Sequence, residues 1–123
     1  QGTSFVPLTT NPELNWKHAT FSQFHRRPKV SADGKRYMGY SINTKKYHLI
    51  SWYGWDSETG TRGDFKSNEL YDKEFDRFET QNLADRLDMR DVIIKLSNQL
   101  SEGWRKALPE YTAQNLIYTD SKK

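Results

Sequence analysis

Residues 36–42, "RYMGYSI", alternate along the chain, with Met38, Tyr40 and Ile42 on one side and Tyr37, Gly39 and Ser41 on the other. A period of two is that of a β-strand with two unlike faces. "NTKK" at 43–46 has hairpin-turn chemistry, and "YHLISWYGW" at 47–55 is built of strand formers. The pair predicts a β-hairpin. "ATFSQFH" at 19–25 reads as a shorter strand before it, and "NELYD" at 68–72 as another after it. Between them, "RRPKVSADGK" at 26–35 reads as a loop, with Pro28 breaking pairing and Asp33-Gly34 marking a turn. "DSETGTRGDFKS" at 56–67 also reads as a polar loop, with Gly54, Gly60 and Gly63 in a turn. Residues 1–18 are turn-rich and predict no long element.

The period changes near the end. In "MRDVIIKLSNQLSEGWRKALPEY", apolar residues fall at Val92, Ile93, Leu96, Leu100, Trp104 and Leu108. Steps of three and four make one face of an α-helix, which Pro109 stops. Asp88 with Asp91, or Asp85 alone, offers a cap. Gly103 within this span suggests a close packing contact. The expected fold is therefore α+β: a small antiparallel sheet of about four strands with one long C-terminal amphipathic helix packed on it. It covers residues 1–111, and 112–123 form a C-terminal tail.

The chain has 123 residues, enough for one domain. Only 34% are hydrophobic and the mean hydropathy is −0.98, but 14% are aromatic. Much of the buried area must then come from Trp, Tyr and Phe. The net charge of +3 and pI near 9.1 suit an anionic partner without demanding one. Cysteine is absent, which removes disulfides, cysteine-type zinc sites and a cysteine nucleophile. No run of about 18 apolar residues exists to span a membrane. A chain beginning at Gln1 reads as a processed product or a piece of something longer.

Candidate chemistry is sparse. Asp72, Glu74 and Asp76 stand at alternate positions, as in a calcium loop. An EF-hand loop needs Gly at its sixth position and Glu at its twelfth; counting from Asp72, Arg77 and Leu83 stand there. A solvated turn is the simpler reading. His18, His25 and His48 have no metal-ligand spacing, and no serine elbow, phosphate loop or dinucleotide fingerprint is present. "HRRPK" at 25–29 puts an imidazole and two guanidiniums at a strand end, able to grip sulfate or phosphate. Its alternative is a solubilising loop. Tyr47, Trp52, Tyr53 and Trp55 can stack on sugars or bases, or pack in the core.

Several segments resemble one family. "ELYDKEFDRFETQNLA" is similar to the end of type I sulfatases, where E-L-Y-D is followed by D-P-x-E-x-x-N-L-A and a closing helix. Glu69, Leu70, Tyr71, Asp72, Asp76, Glu79, Asn82, Leu83 and Ala84 match, while Arg77 replaces the family's Pro. Upstream, "GTSFVPLTTNPELNWKHATFSQFHR" resembles the G-x-S-x-x-P-L-L-x-x-P segment and F-S-Q-Y-P-R strand of the iduronate-2-sulfatase-like branch. "MGYSINTKKYHLISW" resembles that branch's M-G-Y-S-I-R-T-x-x-Y-R-Y-x-x-W; His25 and Asn43 are departures.

The resemblance covers about residues 1–110 and implies a C-terminal subdomain of a formylglycine-dependent sulfatase. Such enzymes hydrolyse sulfate esters, here on a sulfated sugar. Their formylglycine and calcium are expected in the parent enzyme, on the large N-terminal catalytic subdomain or chain, with no cofactor in this segment. That part is the implied partner, exposing an apolar docking patch on the isolated piece. Neither nucleic acid nor membrane is expected. A periplasmic, secreted or lysosomal location goes with the family. No catalytic or metal residue is expected here; Gln23, His25, Arg26 and Arg27 are the candidate substrate-binding residues. Asp72, Asp76 and Glu79 would organise the turn into the helix, and Asn82 would close it. A stand-alone module holding an anionic polysaccharide is the alternative, and a nucleic-acid binder a third reading, marked by its salt dependence.

Overall fold

The computed structural model describes residues 3–28 and 30–109. Four strands form one antiparallel sheet in chain order: β1 (Ala19–His25), β2 (Tyr37–Thr44), β3 (Tyr47–Asp56) and β4 (Thr61–Asp72). A short helix, α1 (Val6–Thr10), precedes them, and α2 (Arg90–Glu102) follows. The α+β fold is the expected one. The expected tail at 112–123 lies outside the described residues.

Register explains the core. Phe21 pairs with Ile42, Ile42 with Leu49, and Leu49 with Leu70, so one row of apolar side chains crosses the sheet. Ile42, Leu49 and Leu70 are fully buried. Helix α2 closes over this row with Leu96 buried and Val92, Ile93 and Leu100 packed beside it. Each fully buried aliphatic side chain contributes roughly 1.5–3 kcal/mol. The turn between β2 and β3 is Lys45-Lys46, where the Thr44 hydroxyl accepts the Tyr47 N–H at 3.0 Å.

The opposite face carries a polar and aromatic network. Phe24 meets Trp52 edge to face, with ring centroids 5.4 Å apart, above Gly39. The Trp52 indole N–H and Tyr71 hydroxyl both donate to Glu69, each at 2.7 Å. Burial, and then this bond to Glu69, push the Tyr71 pKa upward. His48 Nδ1 lies 2.8 Å from Glu79. Tyr47, Trp52, Tyr53 and Trp55 are thus divided between the two faces.

Three expectations change. Residues 61–67 are strand rather than loop: β4 spans 12 residues. As an edge strand it needs only the backbone of β3, so its polar side chains stay in water without loss. The turn is confined to Ser57–Gly60, with Asp56 accepting the Glu58 N–H at 2.8 Å, and Gly54 and Gly63 lie in the strands. Helix α2 stops at Glu102 rather than at Pro109. Gly103 has φ +83° and ψ 176°, a backbone conformation that glycine adopts without steric cost, and a Cβ there would meet nothing within 4 Å. The expected packing glycine is therefore a helix stop, and Trp104–Ala107 continue as a 3₁₀ turn.

The third change concerns the helix start. A 3₁₀ turn at Leu87–Met89 leads into α2. No side chain caps it, because Asp88 is taken by Arg86 at 2.6 and 3.0 Å. At the N-terminus, Pro7 opens the five-residue α1, its ring presetting φ for a first turn. Among the exposed apolar side chains, Phe75, Phe78 and Leu87 lie along the connection from β4 to α2.

Candidate functional site

The acidic connection has a defined job for each carboxylate. Asp72, buried, accepts the Glu74 N–H at 3.0 Å. Asp76 accepts the Gln81 N–H at 2.7 Å and the Thr80 hydroxyl at 3.0 Å. Those bonds, with the Gln81 N–H the larger effect, hold the Asp76 carboxyl below its ordinary pKa. Glu79 turns away to His48, with φ +54° at its own backbone. Lys46 approaches Glu74 at 3.3 Å. The carboxylates diverge, and among the described residues no group of three or more His, Cys, Asp or Glu could hold a metal.

The other end of the sheet is where candidate residues gather. α2 covers the rows around Ile42 and Leu49 but ends before the far strand termini. Gln23 pairs with Tyr40, and His25 with Met38, which pairs in turn with Tyr53. Since Phe21 and Ile42 face the helix, the period of two puts Gln23, His25 and Tyr40 on that same face. His25 meets the Trp55 ring edge on at 5.8 Å, and Tyr40 meets Tyr53 at 5.7 Å. Tyr53 also packs on Phe65 at 5.6 Å. The result is an aromatic platform edged by Gln23 and His25, both exposed.

Arg62 completes it. Its guanidinium carbon stands 4.5 Å from the Tyr53 ring centroid and 5.6 Å from that of Tyr40, within cation–π range. Sequence reasoning missed Arg62 because the segment was read as loop. The Asp56 turn followed by Thr61 was the available signal for a strand there.

The chain's candidate arginines divide differently. Arg26 and Arg27 are exposed in the loop after β1. The Arg26 backbone N–H donates to the Tyr37 carbonyl at 3.0 Å, and Tyr37 belongs to the opposite face. The Tyr37 hydroxyl donates to Asp33 at 2.5 Å, which raises its pKa, while Arg26 acts the other way. The strand period puts Gln23 and His25 on one face, Arg26 stands near Tyr37, and Arg27 follows in the exposed loop.

A family model for the C-terminal region of N-sulphoglucosamine sulphohydrolase matches residues 1–106. The chain belongs to that sulfatase C-terminal family. This chain also resembles a solved structure, BT4656 in complex with its substrate D-glucosamine-2-N,6-O-disulfate. Identity is 25%, the TM-score is 0.59, and the match covers 83% of this chain but 19% of that one. No curated protein matches. The chain spans about a fifth of that structure's length, and its four strands and closing helix are those of a sulfatase C-terminal subdomain.

Proposed function

We propose that this domain completes a sulfuric ester hydrolase acting on a sulfated sugar, and that the aromatic platform faces that sugar. The family match over residues 1–106 carries the reading. The substrate in the similar structure, a sulfated glucosamine, supports the sugar. The platform supplies what such a ligand asks for: aromatic faces for the ring, and Gln23 and His25 for its polar edge. Arg26 and Arg27 stand in the adjoining loop as longer-range cations.

The nucleophile and metal belong to the partner in this reading, the large N-terminal catalytic part. The residues here do not fit either group: the chain has neither cysteine nor an S-x-P-x-R motif to supply formylglycine, and the acids of the connection diverge. No step through calcium or formylglycine is assigned to them. Placement in the iduronate-2-sulfatase-like branch rests on the Met38–Ile42 and Phe21–Gln23 segments. The family match stands against a free polysaccharide-binding module.

The test is sulfate release by the full-length protein. Incubation with D-glucosamine-2-N,6-O-disulfate and a panel of singly sulfated sugars should liberate inorganic sulfate from at least one. Failure to release sulfate from any of them, by protein carrying the formylglycine modification and calcium, rejects the proposal.

A further inference from the structure

A small cavity of about 90 Å³ opens between the platform and the last turns of α2, lined by Tyr40, Ser51, Tyr53, Arg62, Ser97, Leu100 and Ser101. Its chemistry is one-sided. No carboxylate lines it. Arg62 forms no ion pair among the described residues and is held only over the two tyrosine rings. The Ser51 hydroxyl is spent on Asn68 at 2.8 Å. Tyr40, Tyr53, Ser97 and Ser101 line the same cavity and carry hydroxyls able to donate. A cation with hydroxyl donors and no competing acid is a receptor for an oxyanion.

We propose that Arg62 and these hydroxyls bind a second anionic group of the substrate, a sulfate on the sugar other than the one being cleaved. The inference rests on the reading that the platform faces a sulfated sugar. It makes Arg62 a specificity-determining residue, favouring multiply sulfated sugars over singly sulfated ones. Planar guanidinium geometry suits two oxygens of one sulfate, and stacking on Tyr53 limits the side chain's freedom before the ligand arrives. The competing role is electrostatic: α2 ends beside the cavity, and its partial negative charge also attracts a guanidinium.

The experiment compares full-length wild type, Arg62→Gln and Arg62→Lys on D-glucosamine-2-N,6-O-disulfate and on the singly sulfated glucosamine that keeps only the sulfate being cleaved. Steady-state kinetics and titration calorimetry are both read. Arg62→Gln should weaken the disulfated sugar by about tenfold in KM and Kd while changing the singly sulfated one by less than about twofold. Arg62→Lys should fall between, because the charge survives and the fork does not. Equal effects on both sugars, or none, overturn the inference. So does a lowered melting temperature with unchanged affinities, the mark of a helix-end partner only. If the wild type releases sulfate from neither sugar, the hydrolase reading fails for them. Calorimetry then decides Arg62 separately: undiminished binding of the disulfate by Arg62→Gln overturns the inference, and tenfold weaker binding sustains it.

Discussion

The Asn82 side-chain oxygen accepts the backbone N–H of Leu70 at 3.0 Å, across 12 residues of chain. The same oxygen accepts the Ala84 N–H at 2.9 Å, and the Leu83 N–H returns to the Leu70 carbonyl at 2.8 Å. One carboxamide thus fastens the connection to the buried end of β4. Asn82→Ala leaves the Leu70 donor unsatisfied beside a fully buried side chain, at a cost of about 2 kcal/mol. Asn82→Asp keeps the acceptor and should lose less. Denaturant unfolding of the full-length protein measures both, and an equal loss would show that the oxygen is not what matters.

Gly39 is a glycine for reasons of space. A Cβ there would lie 2.9 Å from Cζ3 of Trp52 and 3.1 Å from Cε2 of Phe24. Trp52 is tied by its indole N–H to Glu69, so the ring cannot simply swing away. Gly39→Ala should destabilise by roughly 1–3 kcal/mol. Adding Trp52→Phe should recover part of it, since the indole's second ring is what the Cβ meets. Thermal unfolding of the single and double variants checks this.

Acid should loosen the connection through Asp76. Its folded pKa is depressed by the Gln81 N–H and the Thr80 hydroxyl, so its contribution is complete above the unfolded value of about 4. That contribution disappears as pH falls through the lower, folded value. Asp76→Asn cannot titrate and should show a shallower fall in stability below about pH 4. Identical pH profiles for the two proteins would count against this role.

Binding should separate residues that look alike in sequence. His25 faces the platform, whereas Arg26 leaves the strand toward Tyr37. In the full-length protein, His25→Ala should raise KM for a sulfated sugar by roughly tenfold, about 1.4 kcal/mol. Arg26→Ala should raise it less. Neither should change KM for a small aryl sulfate to the same degree, because that substrate does not extend to the platform. Equal changes on both substrates would mark the loop and strand end as scaffold.

The elements that could be read from residues alone were those whose side chains alternate against a buried layer. β1 at Ala19–His25, the β2–β3 hairpin around Lys45-Lys46, and the Val92, Ile93, Leu96, Leu100 stripe all have apolar periods that match their structures. The connection's matching residues also pointed correctly to a turn held by Asn82, since a carboxamide bonding backbone is local chemistry.

The first half of β4 was invisible because backbone pairing with β3 does not depend on apolar side chains. Gly103 was read as a packing glycine because close packing and a positive φ both favour glycine; only the backbone angles distinguish them. The platform itself depends on register. Gln23 beside Tyr40, and Arg62 over Tyr53, come from four strands whose alignment follows from the core row of Phe21, Ile42, Leu49 and Leu70. Periodicity assigns each strand its two faces, but which residues of different strands stand together is settled only when that row packs beneath α2.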